Sequence, residues 1–207
     1  MKKILAAVLA LVMILSFAAC SENGETSTTE VITVTAERGT VEAGVYKNST
    51  FGITFAAEED WYFLSDAEIA QAMGVAAEEV YGEGTVIEGD HIYDLYCVDM
   101  ESNATVSINY ENLGAVAEFG DANSYLETVM TELISTGTEN GVVDAIITNI
   151  KINGIQVPCL NIVLNYSGTT IYEKIIVKQV GSWMSSITLA SLSETEIEEL
   201  VERITLE

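Results

Sequence analysis

His91 is the only histidine in the 207-residue chain, so any chemistry that needs an imidazole depends on it. Asp90 and Asp94 are near enough in sequence to polarise its ring, as the aspartate does in a Ser-His-Asp triad. The chain has no Gly-x-Ser-x-Gly nucleophile motif, however, and a histidine at the end of a hairpin is more often structural. Glycoside hydrolysis needs two carboxylates at a defined separation, but with 32 acidic residues many pairs can be chosen and the sequence favours none of them. A hydrolase is therefore the third of three functional hypotheses, and no residue is assigned a catalytic role.

A glycine- and acid-rich stretch offers a second kind of chemistry, the binding of a hard cation. Calcium takes several carboxylate oxygens, and Glu83, Glu88, Asp90 and Asp94 are candidates to supply them. Their spacing is not that of an EF-hand, and Gly82-Glu83-Gly84 is disfavoured as a phosphate cradle because no lysine follows it. Cysteine and histidine do not occur with zinc-type spacing. A calcium-binding or small-ligand-binding domain is the second hypothesis, and no metal or cofactor is assigned.

Cys20 follows a segment typical of an export signal. The chain starts with Met1-Lys2-Lys3, continues with a largely apolar run over Ile4–Phe17, and then has the small residues Ala18-Ala19 before the cysteine. The apolar run is shorter than the roughly 20 residues that a transmembrane helix needs. This pattern predicts a signal peptide over residues 1–19 that is removed on export.

The four residues Phe17-Ala18-Ala19-Cys20 resemble the lipobox of bacterial lipoproteins, with Phe17 where leucine is usual. The resemblance implies that Cys20 is lipidated and anchors the protein to the extracytoplasmic face of the cell membrane. Two or more acyl chains make a stable anchor, because each buried methylene contributes about 0.8 kcal/mol and one chain alone binds only marginally. An ordinary secretory signal that contains a cysteine is the alternative.

The charge of the mature chain limits its partners. Removal of residues 1–19 leaves six basic and 32 acidic side chains, a formal net charge of −26. Such a surface repels phosphate backbones, so nucleic acid and bare anionic lipid are not expected partners. The charge itself is explained by the solubility of an extracytoplasmic monomer, while cationic partners and divalent ions stay open.

The composition divides the mature chain into a linker and one domain. Residues 20–38 are rich in Ser, Thr and Glu and predict a solvated spacer after the lipidated cysteine. Residues 39–207 are long enough for a single hydrophobic core. Cys97 and Cys159 are expected to be buried thiols, with a disulfide between them as the alternative in an oxidising exterior.

Periodicity and turn signals predict the elements of this domain. Two capping-box pairs, Ser65 with Glu68 and Ser193 with Glu196, each indicate the start of a helix. A third helix is expected to begin at Asn123 or Ser124 and to end at Gly137. Hairpins are expected for Thr40–Tyr46 with Phe51–Phe55 and for His91–Met100 with Ala104–Tyr110. An antiparallel meander is expected where β-like runs are separated by Asn153-Gly154, Ser167-Gly168 and Gly181-Ser182. Pro158 predicts a bulge or an edge position in the second of these runs.

Consecutive apolar residues such as Ile175-Ile176-Val177 indicate a sheet that is covered on both faces. We therefore expect an α+β fold with a central antiparallel sheet of about six strands and helices on both faces. The order of elements resembles the PsbP-like and Mog-like fold. Several stretches also resemble small Firmicutes lipoproteins of unknown function: Tyr46–Phe55, Trp61–Gly74, Asn109–Leu113 and Tyr172–Thr188. This resemblance implies an architecture and a surface location, but no site residue.

The leading functional hypothesis is a non-enzymatic interaction or accessory module, held at the membrane by its lipid, whose partner is an envelope protein or a small ligand. Five aromatic residues are candidates to line a carbohydrate or peptide groove, although aromatic residues in strands are usually packing residues. They are Trp61, Tyr62, Tyr93, Tyr96 and Trp183.

Overall fold

A computed structural model describes residues 36–73, 91–114 and 121–207 of the chain. Within these ranges it contains eleven strands and three helices. The strands are β1 (Thr40–Glu42), β2 (Val45–Asn48), β3 (Ile53–Ala56), β4 (Trp61–Phe63), β5 (His91–Asp99), β6 (Thr105–Asn112), β7 (Val142–Ile152), β8 (Ile155–Tyr166), β9 (Thr169–Val180), β10 (Trp183–Ser191) and β11 (Ile204–Leu206). The helices are α1 (Asp66–Met73), α2 (Ala122–Asn140) and α3 (Glu194–Glu202).

The strands form two antiparallel sheets. The large sheet has the order β4-β5-β6-β10-β9-β8-β7, and the small sheet has the order β1-β2-β3-β11. One face of the large sheet, the sheet-side face, packs against the small sheet and α3 in a core that contains Phe55, Tyr110 and Leu200. The opposite face, the helix-side face, packs against α2 through Leu126, Val129 and other apolar residues. The large sheet therefore separates two hydrophobic clusters.

The expected fold class is wrong. The described residues form a mostly β structure of eleven strands in two antiparallel sheets with only three helices, not an α+β fold with one central sheet of about six strands covered on both faces by helices. A second sheet, together with α3, covers one face of the large sheet. Sequence periodicity did not indicate the second sheet because its strands are short: β1 and β11 have three residues each, and β2 and β3 have four each. In addition, β11 pairs with β3, which lies about 150 residues earlier in the chain. Such a pairing leaves no local pattern.

The four-strand meander is confirmed as β7 to β10. Asn153 and Gly154 have φ values of 38° and 98°, and these positive angles are the ones that a two-residue hairpin turn requires. Pro158 pairs with Asn149 of β7, and the ladder between β8 and β9 begins only at Cys159. β8 is an interior strand of the large sheet, but at Pro158 it pairs with β7 alone, so the pairing at this position is that of an edge, and the register continues there without a bulge.

The helix caps agree with the predicted starts of α1 and α3. The Ser65 backbone N–H donates to Glu68 Oε2 over 2.8 Å, and the Ser193 side chain accepts from the Glu196 N–H. The start of α2 differs from the prediction: Asp121 Oδ1 accepts from the backbone N–H groups of the two residues predicted as caps, Asn123 and Ser124. The helix also continues to Asn140, past the predicted end at Gly137.

A β-bulge in β5 brings one carboxylate into the interface between the sheets. The register between β5 and β6 shifts between Tyr93 and Leu95, so Asp94 is the inserted residue. Its fully buried side chain accepts hydrogen bonds from Arg38 Nε over 3.0 Å, from the Gly39 N–H over 2.7 Å and from the Tyr46 hydroxyl over 2.7 Å. We call this arrangement the Asp94 clamp, because it joins β5 to β2 and to the segment that leads into β1.

Two further groups complete the Asp94 clamp. The Tyr46 hydroxyl lies 2.6 Å from the Tyr110 hydroxyl of β6, and Arg38 makes a second, bidentate contact with Asp66 at the start of α1. Burial is the main reason that the pKa of Tyr46 lies well above its usual value. Arg38 is therefore part of the packed structure, although the composition predicts that residues 20–38 form a solvated spacer.

Cys97 and Cys159 are both buried free thiols, which confirms the expectation for them. Burial raises the pKa of Cys159 to about 11 and that of Cys97 further. None of the helices in the described part of the chain combines the length and the apolar character that a membrane span needs.

Replacing Asp94 with alanine should destabilise the protein by about 3 to 5 kcal/mol, because it removes the one buried carboxylate that accepts from Arg38 Nε, the Gly39 N–H and the Tyr46 hydroxyl together. The matched control is Asp66→Ala, which removes the other, half-exposed carboxylate from the same arginine. It should cost about 1 kcal/mol or less. Urea denaturation at pH 7 measures both changes, and equal costs for the two variants would contradict the role given to Asp94.

Candidate functional site

Only some of the functional candidates in the first half of the sequence lie within the described residues. Cys20, Glu83, Glu88 and Asp90 lie outside the described residues. Asp94 is described, and its carboxylate is occupied by the Asp94 clamp. Among the described residues, no three His, Cys, Asp or Glu side chains are grouped so that they could hold a metal ion.

His91 and Asp94 do not form a catalytic pair. His91 is opposite Glu111 of β6 and shares the helix-side face with Tyr93, whereas the bulge turns Asp94 to the sheet-side face. Burial lowers the pKa of His91 to about 4, so the ring is neutral at physiological pH. Its Nε2 atom has no hydrogen-bond partner within the described ranges, and hence no nucleophile of these residues is bound to it.

The five aromatic candidates do not line one groove. Trp61 and Trp183 belong to the core between the sheets, where they contact Phe55 and Phe51. Tyr62 is 47% exposed and donates to Glu68. Only Tyr93 and Tyr96 share a surface, the helix-side face of β5, and both are buried there.

That face carries a patch of polar side chains, all buried except the partly buried His91, which we call the polar face. Its members come from four adjacent strands and alternate along each strand with residues of the core between the sheets. They are His91, Tyr93 and Tyr96 of β5, Thr105, Ser107, Asn109 and Glu111 of β6, Ser186 and Thr188 of β10, and Glu173 of β9.

The strand register arranges the polar face in rows. Tyr96, Ser107 and Thr188 are directly opposite one another across β5, β6 and β10. Asn109 belongs to the next row and lies between Tyr93 and Ser186. Side chains directly opposite on neighbouring strands have Cβ atoms about 5 Å apart, and rows on one face are about 7 Å apart. The polar groups are therefore close enough to contact one small molecule.

Five polar atoms of this face are buried without a hydrogen-bond partner in the described part of the protein. They are His91 Nε2, Tyr96 Oη, Ser107 Oγ, Asn109 Oδ1 and Thr188 Oγ1. Thr105 is near enough to lower the pKa of Tyr96 but does not reach hydrogen-bond geometry, and burial is the larger effect, raising that pKa to about 12. Every unpartnered buried side-chain atom found among the described residues belongs to this one face.

A carboxyl group lies at each end of the polar face. Glu173 pairs with Ala190 of β10, next to the row of Thr188, and burial raises its pKa to about 8. Glu111 is opposite His91 at the other end, and its Oε2 accepts from the Tyr125 hydroxyl of α2 over 2.9 Å. Burial is also the main cause of the raised pKa of Glu111. Both acids therefore favour the neutral form more than a solvated glutamate does.

Basic side chains are missing from the polar face as far as the structure describes it. Lys174 and Lys178 of β9 lie on the opposite side, where Lys174 contacts Glu198 and Lys178 donates to the Phe51 carbonyl. The available chemistry is therefore hydrogen bonding by hydroxyl, amide, imidazole and carboxyl groups. Groups of these types can orient a polar ligand through hydrogen bonds.

Sequence reasoning singled out His91, Tyr93 and Tyr96 but missed the rest of this face. The signal in β6 is a strict alternation, in which Val106, Ile108 and Tyr110 alternate with polar residues. Alternation of this kind is typical of a strand with one solvated face. Only the fold reveals that the polar side is buried as well.

Comparison with known proteins gives a limited result. No family model matches the chain, and no curated protein matches it in sequence. A solved structure from Bacteroides thetaiotaomicron is similar at 10% identity and a TM-score of 0.42, over 83% of this chain and 49% of that one. This chain thus spans about half the length of the Bacteroides protein.

Two further structures are similar at the same distant level. LpqN, involved in cell envelope biogenesis of Mycobacterium tuberculosis, has 14% identity and a TM-score of 0.41, over 74% of this chain and 82% of its own. PA94, a protein of unknown function from Pseudomonas aeruginosa, has 12% identity and a TM-score of 0.30, over 49% of this chain and 67% of its own. Similarity of this degree assigns neither a family nor a function, and it does not show a PsbP-like or Mog-like fold or an origin in Firmicutes.

The stability of the protein should depend on the ionisation of Glu173. The unfolded side chain has a pKa near 4.5, whereas the folded value is about 8. Between pH 6.5 and 8 the unfolded state has lost this proton and the folded state still holds it, so the free energy of unfolding falls by up to about 1.4 kcal/mol per pH unit. Glu173→Gln should remove this contribution.

Urea denaturation at pH 6.5, 7, 7.5 and 8 measures the slope. His91 acts in the opposite direction at the lower end of this window, because its unfolded pKa of 6.5 leaves the unfolded ring partly protonated while the folded ring, with a pKa of about 4, is neutral. Both proteins keep His91, so the difference between their slopes reports Glu173. The control is Glu199→Gln, which changes an exposed glutamate of α3 and should keep the wild-type slope. Parallel slopes for the wild type and Glu173→Gln would contradict the assignment.

Proposed function

We propose that this protein is an extracytoplasmic accessory domain, anchored by lipid on Cys20, that binds a small polar molecule on its polar face. The observation that carries the binding function is the set of five unpartnered polar atoms on adjacent strands of one face. Buried polar groups in native proteins nearly always have hydrogen-bond partners. Five exceptions on a single surface point to partners that a bound molecule supplies.

The energy involved supports this interpretation. An unsatisfied buried polar group costs about 1 to 3 kcal/mol, and the total stability of a domain is only about 5 to 15 kcal/mol. Five such groups together therefore lower the free energy of unfolding of the free protein substantially. Binding sites commonly show this compromise, because groups that are poorly satisfied without ligand are satisfied when it is bound.

Binding is favoured over hydrolysis by the state of His91. Its pKa of about 4 makes the ring a weak base, and its Nε2 has no hydroxyl partner among the described residues. A general base works best when its pKa lies near the working pH and when it reaches the nucleophile. His91 meets neither condition.

The anchor rests on the first twenty residues of the sequence. A basic start, an apolar run and small residues lead to Cys20, and a polar spacer follows. An anchored domain of net charge −26 after cleavage is repelled by anionic lipid, so the spacer has a physical purpose: it keeps the acidic domain away from the bilayer. The proposed role is to hold a ligand close to the membrane for an envelope partner.

Growth with an alkyne-tagged fatty acid should label the wild-type protein, and Cys20→Ala should abolish the label because the acylated thiol is gone. In-gel fluorescence of the membrane fraction measures this. Cys97→Ala is the matched control, since that thiol is buried in the domain core, and it should leave the label unchanged. Equal labelling of Cys20→Ala and wild type would refute the anchor.

Thr188→Val should stabilise the free protein while weakening ligand binding. The change keeps the side-chain shape and removes a buried hydroxyl that has no partner among the described residues, so we expect about 1 kcal/mol of added stability. The full-length protein in detergent is then tested by thermal unfolding against three mixtures: uncharged sugars and polyols, amines, and organic acids with phosphate esters. At least one mixture should raise the Tm of the wild type and have little effect on Thr188→Val.

Ser185→Ala is the control for this experiment. Ser185 lies three residues away on the same strand, faces the other side, and donates to the Lys178 carbonyl over 2.8 Å. Its loss should lower the Tm and keep the shift caused by the ligand. The proposed binding function fails if none of the three mixtures shifts the wild type, or if the shift is the same in Thr188→Val.

A further inference from the structure

Among the described residues the two sheets have four edge strands, and only one of them is long. β1 and β11 border the small sheet and β4 borders the large sheet, and each has three residues. The fourth edge strand, β7, has eleven residues, and within the described ranges no strand pairs with its outer side. A long edge strand presents a row of unpaired N–H and C=O groups to another chain.

The turn after β7 determines which of its residues direct their backbone groups outward. The two-residue turn Asn153-Gly154 has positive φ angles, and its flanking residues, Ile152 and Ile155, form a hydrogen-bonded pair of β7 and β8. Hydrogen-bonded and non-hydrogen-bonded pairs alternate along an antiparallel ladder. Pro158, which has no N–H, fits this alternation because it lies opposite Asn149 in a pair that exchanges no hydrogen bonds. The residues of the outer row are therefore Ala145, Ile147, Asn149 and Lys151.

The centre of β7 lacks the features that usually protect an edge strand. Natural edges are blocked by charged residues, prolines or bulges. In β7 the bulge and Asp144 lie at the beginning and Lys151 lies near the end, so the stretch Ala145–Ile150 contains none of these features. Ile146, within this stretch, is 55% exposed. A strand added to β7 would cover this side chain and satisfy the outer row.

The side chains of β7 are complementary to those of a second β7 that runs antiparallel to it. Ile146, Thr148 and Ile150 share the sheet-side face, on which Ile150 packs against the core. With Thr148 at a two-fold axis, Ile146 of each copy is opposite Ile150 of the other, and this contact buries apolar surface. The two threonines are opposite each other, a pair that stabilises neighbouring strands through a hydrogen bond.

The charges of β7 permit this pairing although the protein is strongly acidic. Lys151 of one copy lies opposite Ala145 of the other, next to Asp144, so unlike charges are neighbours and like charges are never opposite. The net charge of −26 per mature chain repels a second copy over long distances, but the Debye length is only about 8 Å at physiological ionic strength. Added salt should therefore strengthen the association, whereas it would weaken a dimer held by ion pairs.

We infer that this protein forms a two-fold symmetric dimer, in place of the monomer expected from its charge, in which β7 pairs antiparallel with β7 of a second copy about Thr148. The outer rows of the two copies exchange backbone hydrogen bonds, and the two large sheets become one continuous sheet. The same surface of each copy forms the interface, as two-fold symmetry requires. The dimer is independent of the proposed ligand, because the polar face lies on β5, β6, β9 and β10.

Sedimentation equilibrium of the full-length protein in a density-matched detergent measures the association. The wild type should be dimeric, and the dimer fraction should rise between 50 and 500 mM NaCl. Ile146→Lys should weaken dimerisation about tenfold or more, because a charge then faces the apolar Ile150 of the other copy. Val41→Lys is the matched control: it changes an exposed valine on another edge strand, β1, and should leave the dimer intact.

Thr148→Cys tests the register by disulfide trapping. Opposite side chains in a non-hydrogen-bonded pair are close enough for a disulfide, so mild oxidation should link the two copies of this variant. Thr205→Cys, which changes an exposed threonine on the edge strand β11, should give no link above the wild-type background. The wild type provides this background because it has Cys20 and the buried thiols Cys97 and Cys159.

Asn149→Pro is the second variant at the edge. It removes an outward N–H without breaking a bond to β8, so it should also dissociate the dimer, and it keeps the test valid if Ile146→Lys does not fold. A wild type that is monomeric at both salt concentrations would overturn the inference. A dimer that neither variant dissociates, or one in which Thr148→Cys is not linked, would overturn it as well.

Discussion

The arrangement of both faces of the large sheet depends on the buried carboxylate of Asp94 and on the bulge that presents it. The bulge puts Asp94 and Leu95 on the sheet-side face together, so the alternation of β5 changes phase at this point. His91 and Tyr93 before the bulge therefore share the helix-side face with Tyr96 after it. Without the inserted residue, one part of β5 would be shifted by one residue relative to the other part, and its side chains would point to the opposite face of the sheet.

The Asp94 clamp offsets the hydrogen bonds that the bulge interrupts. A buried carboxylate is stable only when donors surround it, and Arg38, Gly39 and Tyr46 supply these donors from the small-sheet side. A side chain at position 39 would overlap the Tyr46 ring, so glycine is needed for this approach. The same residue thus fixes the packing of the two sheets and, through the phase of β5, the composition of the polar face.

Much of the local structure could be predicted from sequence, whereas the contacts between distant segments could not. Turn pairs such as Asn153-Gly154 define the meander because positive φ angles have a clear residue preference. Capping pairs such as Ser193 with Glu196 define helix starts in the same way. The bulge at Asp94 gave no comparable signal, because Asp94 and its donors are up to 56 residues apart in sequence. For the same reason, the alternation of β6 was consistent with a solvated face and did not reveal Ser107 and Asn109 as buried.

The pairing of β3 with β11 also determines when the protein can fold. β3 lies between β2 and β11 in the small sheet, and the Glu207 N–H donates to the Gly52 carbonyl over 2.9 Å at the edge of this pairing. The small sheet is therefore incomplete until the chain through residue 206 has been synthesised. Contacts of such long sequence separation form slowly. The core between the sheets, which includes Ile204 and Leu206, is therefore completed only after residue 206 has been added to the chain.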